Sequence, residues 1–274
     1  MTAKGNITKY ALVSDDSESH RLNKQHETAK SILHGRLLPD GLDLQDGDLV
    51  LDSGTGTGIW AIDVASDLPK SVQIHGIDIT PRLFPASPPS NIQFSVENIL
   101  TLPESYHGKY ALVHQRFLTA AFGGEEWKTC IKNVYAALRP GGCLKLEEIH
   151  GYLHPDTLPC MPQVQAFTKH LEKLRGIDFQ AVPKIHVWLL EEGFESVVIE
   201  PKRWFYGPGK PHEHVRDNLL VAWGAVRRAT KQAATDWGMT DEEWDEFIAH
   251  VDRDLKENES YSIVYSFTAR KPPI

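Results

Sequence analysis

The chain has 274 residues, 41% of them hydrophobic and 24% charged, with a formal net charge of −8. That length suits one large domain with its own core rather than a disulfide-stapled minidomain. The acidic balance argues against a general nucleic-acid binder, which carries a basic field.

The N-terminal stretch "MTAKGNITKYALVSDDSESH" lacks the apolar core of a signal peptide. No apolar run approaches the roughly 20 residues that span a bilayer; "LLVAWGAV" (219–226) is far too short. Cys130, Cys143 and Cys160 are odd in number and lack CxxC spacing, which favours reduced thiols over a disulfide framework or a zinc site. A soluble, cytoplasmic chain without membrane contact is expected.

The first helix is expected to begin near Asp15, where "DDSE" resembles a capping box with Glu18 in its third position. Leu22, His26, Ala29 and Leu33 share one face by helical spacing, and Arg21, Gln25 and Thr28 the neighbouring one. Strand 1 follows over Leu49–Asp52, then a glycine-rich turn, then a helix carrying Ile59, Ile62, Asp63 and Ala65. Further strands are predicted over 72–78, 92–98, 110–114 and 141–149, with an amphipathic helix before the stop at Arg139-Pro140-Gly141. Alternating helices and nearly continuous apolar strands predict a doubly wound, parallel α/β sheet.

Beyond residue 150 two helical stretches, "MPQVQAFTKHLEKLRG" and "KIHVWLLEEG", precede a strand, "FESVVIEP". Residues 207–259 read as a loop and two helices inserted before a closing strand over 261–271.

The turn "LDSGTGTG" places Gly54, Gly56 and Gly58 between an apolar strand and an apolar helix. Bare backbone there lets a ligand approach closely, and helix N-terminal amides point at it. Asp78 ends the second strand, where a carboxylate can accept from ribose hydroxyls. Glu97, Asn98 and Ile99 end the third, where an amide and a backbone N–H can read an adenine edge. The G-x-G-x-G spacing is not the G-x-G-x-x-G of dinucleotide sites, and no lysine follows as in a P-loop. Asp52 would repel a pyrophosphate but suits an ammonium group. S-adenosylmethionine (SAM) has that ammonium, a sulfonium charge and no phosphate.

Together "LDSGTGTG", "GIDIT", "VENILTLP" and "IKNVYAALRPGG" resemble a class I SAM-dependent methyltransferase. With "RLNKQH" upstream, the chain further resembles fungal secondary-metabolism methyltransferases related to a velvet-complex regulator. The resemblance implies a Rossmann-like, mostly parallel seven-stranded sheet with helical lid elements. It makes residues 1–274 a single domain, with 1–40 carrying a lid helix and 207–259 forming part of an acceptor pocket. It also implies that Gly54, Thr55 and Gly56 pass under the methionine part and Asp78 holds the ribose. Ile79, Glu97, Asn98 and Ile99 would lie around the nucleoside. Tyr10, Arg21 and Gln25 would reach over from the N-terminal segment, Arg21 and Gln25 toward the carboxylate, with Asp52, His114 and Gln115 completing the pocket. Asn98 stands where an aspartate is usual, though its amide oxygen can still accept from the adenine amino group.

Methyl transfer is an in-line displacement in which alignment supplies much of the acceleration. Candidates for a base are His114 at the end of strand 4, Glu147 at the end of strand 5, and His150. Glu148 lies beside them. His114 and Glu147 are expected to meet, because strands 4 and 5 should be neighbours. Metal-dependent chemistry is disfavoured, since "HQRF" stands where an acidic cluster would be needed. Among the aromatics after residue 150, Trp204 and Trp223 are the candidates for the acceptor pocket. The expected activity is O-methylation of a small, polyketide-type molecule. The alternatives are N- or S-methylation, or a SAM-binding regulator or scaffold that does not methylate.

Overall fold

A computed structural model describes residues 16–151, 153–207, 209, 214–232 and 238–273. Its sheet has seven strands in the order β3-β2-β1-β4-β5-β7-β6. These are β1 (Leu49–Ser53), β2 (Gln73–Asp78), β3 (Ile92–Val96), β4 (Tyr110–Arg116), β5 (Leu138–Ile149), β6 (Glu195–Phe205) and β7 (Tyr261–Arg270). Strands β1 to β5 pair in parallel, and β7 runs antiparallel between β5 and β6. The doubly wound, mostly parallel seven-stranded architecture expected from the sequence is the one observed.

Period-two alternation divides the core between the two faces of this sheet. Val50, Leu112 and Cys143 sit side by side and pack with Trp60, Ala61 and Val64 of α2 (Ile59–Asp67). The next residues along, Leu51, Val113 and Leu144, face the other way, against Trp127, Ile131 and Val134 of α3 (Gly124–Ala137) and Ile185 and Leu189 of α5 (Ile185–Glu192). A third core joins α4 (Met161–Arg175), α6 (His214–Gln232) and α7 (Asp241–Glu257) to Trp204 and Val264 of the sheet. There Phe167 touches Trp223, Trp244 and Phe247. The two inserted helices therefore share a core with α4 and the edge of the sheet. α7 opens with a capping box in which the Thr240 hydroxyl accepts from the Glu243 N–H and the Glu243 carboxylate accepts from the Thr240 N–H.

Several boundaries shift for local reasons. β3 stops at Val96 because the Asn98 side chain accepts from Leu100 N–H and caps a 3-10 turn over Ile99–Thr101. β5 starts at Leu138, and the chain turns through Gly141 at φ 75°. The first helix, α1, covers Asp16–Ile32. Its expected cap at Asp15 and the candidate Tyr10 lie outside the described residues. Glu18 is engaged by Arg21, whose Nε and Nη2 donate to it at 2.8 and 2.7 Å. The three cysteines are buried and free, in line with reduced thiols. Among the described residues no helix is long and apolar enough to cross a membrane.

Candidate functional site

A cavity of about 690 Å³ opens at the carboxyl ends of β1, β2, β3 and β4 and runs inward to α4, α6 and β6. Its floor is the turn after β1. Gly54, Gly56 and Gly58 have φ of 69°, 54° and 70°, the left-handed region that favours glycine. The turn is also tightly packed by neighbouring side chains. A Cβ on Gly58 would stand 2.5 Å from the Phe94 ring, and one on Gly54 would stand 3.0 Å from Leu118. Part of the answer to why side chains are missing here is thus packing by the protein itself.

The polar end of the cavity is built from strand termini. Asp78 lies at the end of β2, and its Oδ2 accepts from Gly56 N–H at 3.0 Å. Burial raises the Asp78 pKa, opposed by the backbone N–H groups of Gly56, Thr80 and Ile79. Ile79, Glu97, Asn98 and Ile99 line the same end, as do Gly54, Thr55 and Gly56. Over them lies α1, which contributes Arg21, Leu22, Gln25 and His26. The helix is tied down through His26: its Nε2 donates to Asp63 at 2.8 Å, and its Nδ1 accepts from Arg116 Nη2 at 2.8 Å. Burial, together with the Arg116 charge, lowers the His26 pKa. Lys30 closes the tie with a 2.7 Å ion pair to Asp63.

The apolar end is lined by Phe117, Phe167, Phe179, Trp204 and Trp223, with Tyr206, Ser262 and His150 as polar breaks. Trp204 and Trp223 thus both stand in the wall where an acceptor pocket was expected. Of the other aromatics after residue 150, Trp188 packs against the sheet core and Trp244 against the helical core. Trp237 lies outside the described residues. Phe117 has φ 58°, an uncommon conformation for a bulky residue, and meets Trp204 edge-on with ring centroids 5.7 Å apart. It follows Arg116 directly, so β4 turns sharply where the polar and apolar ends meet.

Four candidates are not in the cavity wall. Asp52, His114, Gln115 and Glu147 are all 2% exposed or less and do not line the cavity. The first, second and fourth form a chain of polar contacts across three strands. Thr55 Oγ1 donates to Asp52 Oδ2 at 2.5 Å, and His114 Nδ1 meets Asp52 Oδ1 at 2.7 Å. On the other side His114 Nε2 meets Glu147 Oε2 at 3.1 Å, and Lys145 pairs with Glu147 at 3.2 Å. The expected meeting of His114 and Glu147 occurs, but inside the sheet, because their side chains point along its face rather than off its end. Burial pushes the Glu147 carboxyl up, and the His114 hydrogen bond, with Lys145 and Arg116, outweighs it and holds the group down at about 2. Gln115 accepts from Ser53 Oγ at 3.1 Å and from Cys130 Sγ at 3.2 Å, beneath the turn. The Asp52 carboxylate therefore braces the glycine turn from below and does not line the cavity.

Glu148 is fully buried, and it accepts from Leu118 N–H, Thr119 N–H and Thr119 Oγ1. Burial pushes its carboxyl up to about 8 against those donors. Through them it fixes the loop whose Leu118 packs on Gly54. His150, by contrast, lines the cavity, and burial, with His154 nearby, lowers its pKa. Sequence reasoning missed Phe94, Leu118, Phe167 and Phe179. No local pattern distinguishes them from other core aromatics and aliphatics. Among the described residues no group of three or more His, Cys, Asp or Glu is placed to hold a metal ion.

Residues 50–142 match the methyltransferase domain family. The chain is 30% identical to the N-methyltransferase verN of Clonostachys rogersoniana over 239 residues, covering 83% of this chain and 77% of that one. It is 29% identical to the N-methyltransferase sirN of Leptosphaeria maculans over 259 residues, covering 91% and 90%. It is 38% identical to the methyltransferase grgD of a Penicillium species over 150 residues, but that match spans only about half of each chain, 52% and 53%. Among solved structures, the mycolic acid cyclopropane synthase CmaA1 complexed with SAH superposes with a TM-score of 0.57 at 16% identity, covering 97% of this chain and 91% of that one.

Proposed function

Because the chain belongs to the class I SAM-dependent methyltransferases, we propose that it methylates a nitrogen atom of a small, largely apolar molecule held at the aromatic end of the cavity. The expectation of an oxygen acceptor is overturned by sirN and verN, both of which are N-methyltransferases.

The observation that carries this reading is one continuous cavity with two chemically different ends. The polar end fits SAM by its donor set. The Asp78 carboxylate suits vicinal hydroxyls, Asn98 and Ile99 suit an adenine edge, and bare backbone at Gly54 and Gly56 admits the amino-acid chain. When bound, SAM supplies an electrophilic methyl group on a positively charged sulfur. The protein's own part is to hold the acceptor nitrogen in line at near-contact distance and to keep water away.

Phe117 and Trp204 would form the flat walls that orient the acceptor at the junction of the two ends, and Trp223 would close the far side. His150, whose pKa burial lowers, would take the proton the nitrogen sheds. His114 and Glu147 would not touch the acceptor; they would brace the glycine turn through Asp52 and Thr55. Residues 1–40 would act as a lid through α1, and 207–259 as part of the acceptor pocket through α6, within one domain.

Incubation with methyl-labelled SAM and a panel of small aromatic molecules, each offered as an N–H and an O–H form, tests the reading. Label is expected on nitrogen. A molecule transformed without gaining label, or labelled only at oxygen, would overturn it.

A further inference from the structure

Two arginines line the polar end of the cavity, and their situations differ. Arg21 is already neutralised. Its guanidinium forks onto Glu18 through two hydrogen bonds of 2.8 and 2.7 Å, and its Nη1 leans on Gln25 Oε1 at 3.4 Å. Arg116 has no such counter-ion. Among the described residues no carboxylate comes within 4.0 Å of it; its one side-chain hydrogen bond goes to the Nδ1 of His26, and its buried Nη1 has no partner. Glu147, Asp52 and Asp63 act on it only as more distant charges. A half-buried guanidinium with one nitrogen shut away from water and no paired anion is costly, and native structures seldom leave one so.

We propose that Arg116 binds the carboxylate of the ligand's amino-acid moiety, and that this contact completes the charge pairing of the cavity. The inference rests on the SAM reading above and replaces Arg21, the residue expected from sequence, in that role. The position suits it. Arg116 ends β4, next to β1 whose turn forms the floor, and faces α1 through His26. Gln25 of α1 lines the same end and, with its amide oxygen on Arg21, keeps its N–H donors for a second contact. A planar fork matches a carboxylate with two parallel bonds, which lysine cannot reproduce. The carboxylate would also stand three hydrogen bonds from Asp63, so binding and the seating of α1 would be coupled through Arg116 and His26.

The test compares S-adenosylhomocysteine with 5′-methylthioadenosine, which keeps the nucleoside and thioether but lacks the amino-acid carboxylate. Affinities are measured by calorimetry on wild type, Arg116→Lys and Arg116→Gln, with thermal melts to establish that each variant is folded. Arg116→Gln is expected to weaken S-adenosylhomocysteine by about 10- to 100-fold, the range for a lost charge-assisted hydrogen bond. Arg116→Lys should lose less, and methylthioadenosine affinity should stay within about twofold of wild type. Equal weakening of both ligands would assign Arg116 a purely structural part and overturn the proposal, as would unchanged affinity for S-adenosylhomocysteine. If wild type bound neither ligand, the SAM reading itself would fail, which is a distinct outcome. Should Arg116→Gln not fold, the same ligand comparison on Arg116→Lys decides the matter.

Discussion

The imidazole of His114 lies flat against the indole of Trp60, with ring centroids 3.7 Å apart and planes 2° from parallel. The stack fixes the ring between two carboxylates, Asp52 at 2.7 Å and Glu147 at 3.1 Å. A group clamped on a face and at both nitrogens is poorly placed to collect a proton from a ligand, but well placed to hold three strands in register. His114→Ala would leave two buried carboxylates without their common partner, a loss on the order of 3–5 kcal/mol. Urea denaturation should show that loss, with little change in turnover by the fraction that remains folded. A stable variant with abolished turnover would return His114 to the chemistry.

Glu147 gives this network a pH signature. Its carboxyl is held down at about 2 in the folded protein, against an ordinary 4.5. A depressed carboxyl stabilises the fold fully above its unfolded pKa, and that contribution fades as pH falls from about 4.5 toward 2. Unfolding midpoints measured across that window should drop with acid, and Glu147→Gln should flatten the limb at lower overall stability. An acid limb as steep in the variant as in wild type would place the titration elsewhere.

Gly58 answers for backbone and packing at once. Its φ is 70°, and an added Cβ would fall 2.5 Å from Phe94. Gly58→Ala is therefore expected to cost about 2 kcal/mol or more. Adding Phe94→Ala should relieve the clash while leaving the backbone strain, so the Gly58 substitution should cost less in a Phe94→Ala background than in wild type. A double-mutant cycle with no coupling between the two sites would contradict this account of the turn.

Trp223 belongs to the aromatic end of the cavity alone. It lines the wall and stacks on Phe247, 5.7 Å between centroids, far along the chain from the strand termini that form the polar end. Trp223→Ala should raise KM for the acceptor on the order of tenfold or more. The affinity for S-adenosylhomocysteine should not change. Parallel losses in both would mean that the helical insertion supports the whole cavity rather than the acceptor alone.

The succession of strands and helices, the glycine turn and the end of β2 were legible from local pattern, because apolar runs and turn chemistry are short-range signals. The pairing of His114 with Glu147 followed from strand adjacency. What pattern could not supply was direction. Whether His114 points off the end of the sheet or along its face depends on Trp60, 54 positions away in sequence. Arg21 was the cation expected at the carboxylate, and only its fork on Glu18, a contact with no counterpart at Arg116, shows that its charge is already met. Phe94 was invisible as a determinant of the glycine turn because its contact crosses from β3 to the loop after β1. Long-range packing decides such roles, and it overrides what any short window of residues implies.

The central claim is that the strand-end half of the cavity receives a nucleoside through Asp78. Calorimetric titration of S-adenosylhomocysteine into wild type and Asp78→Ala tests it most directly. Saturable binding is predicted, weakened in the variant by about 1–3 kcal/mol, roughly ten- to hundredfold. Absence of binding to wild type, or equal affinity in both proteins, would contradict the account.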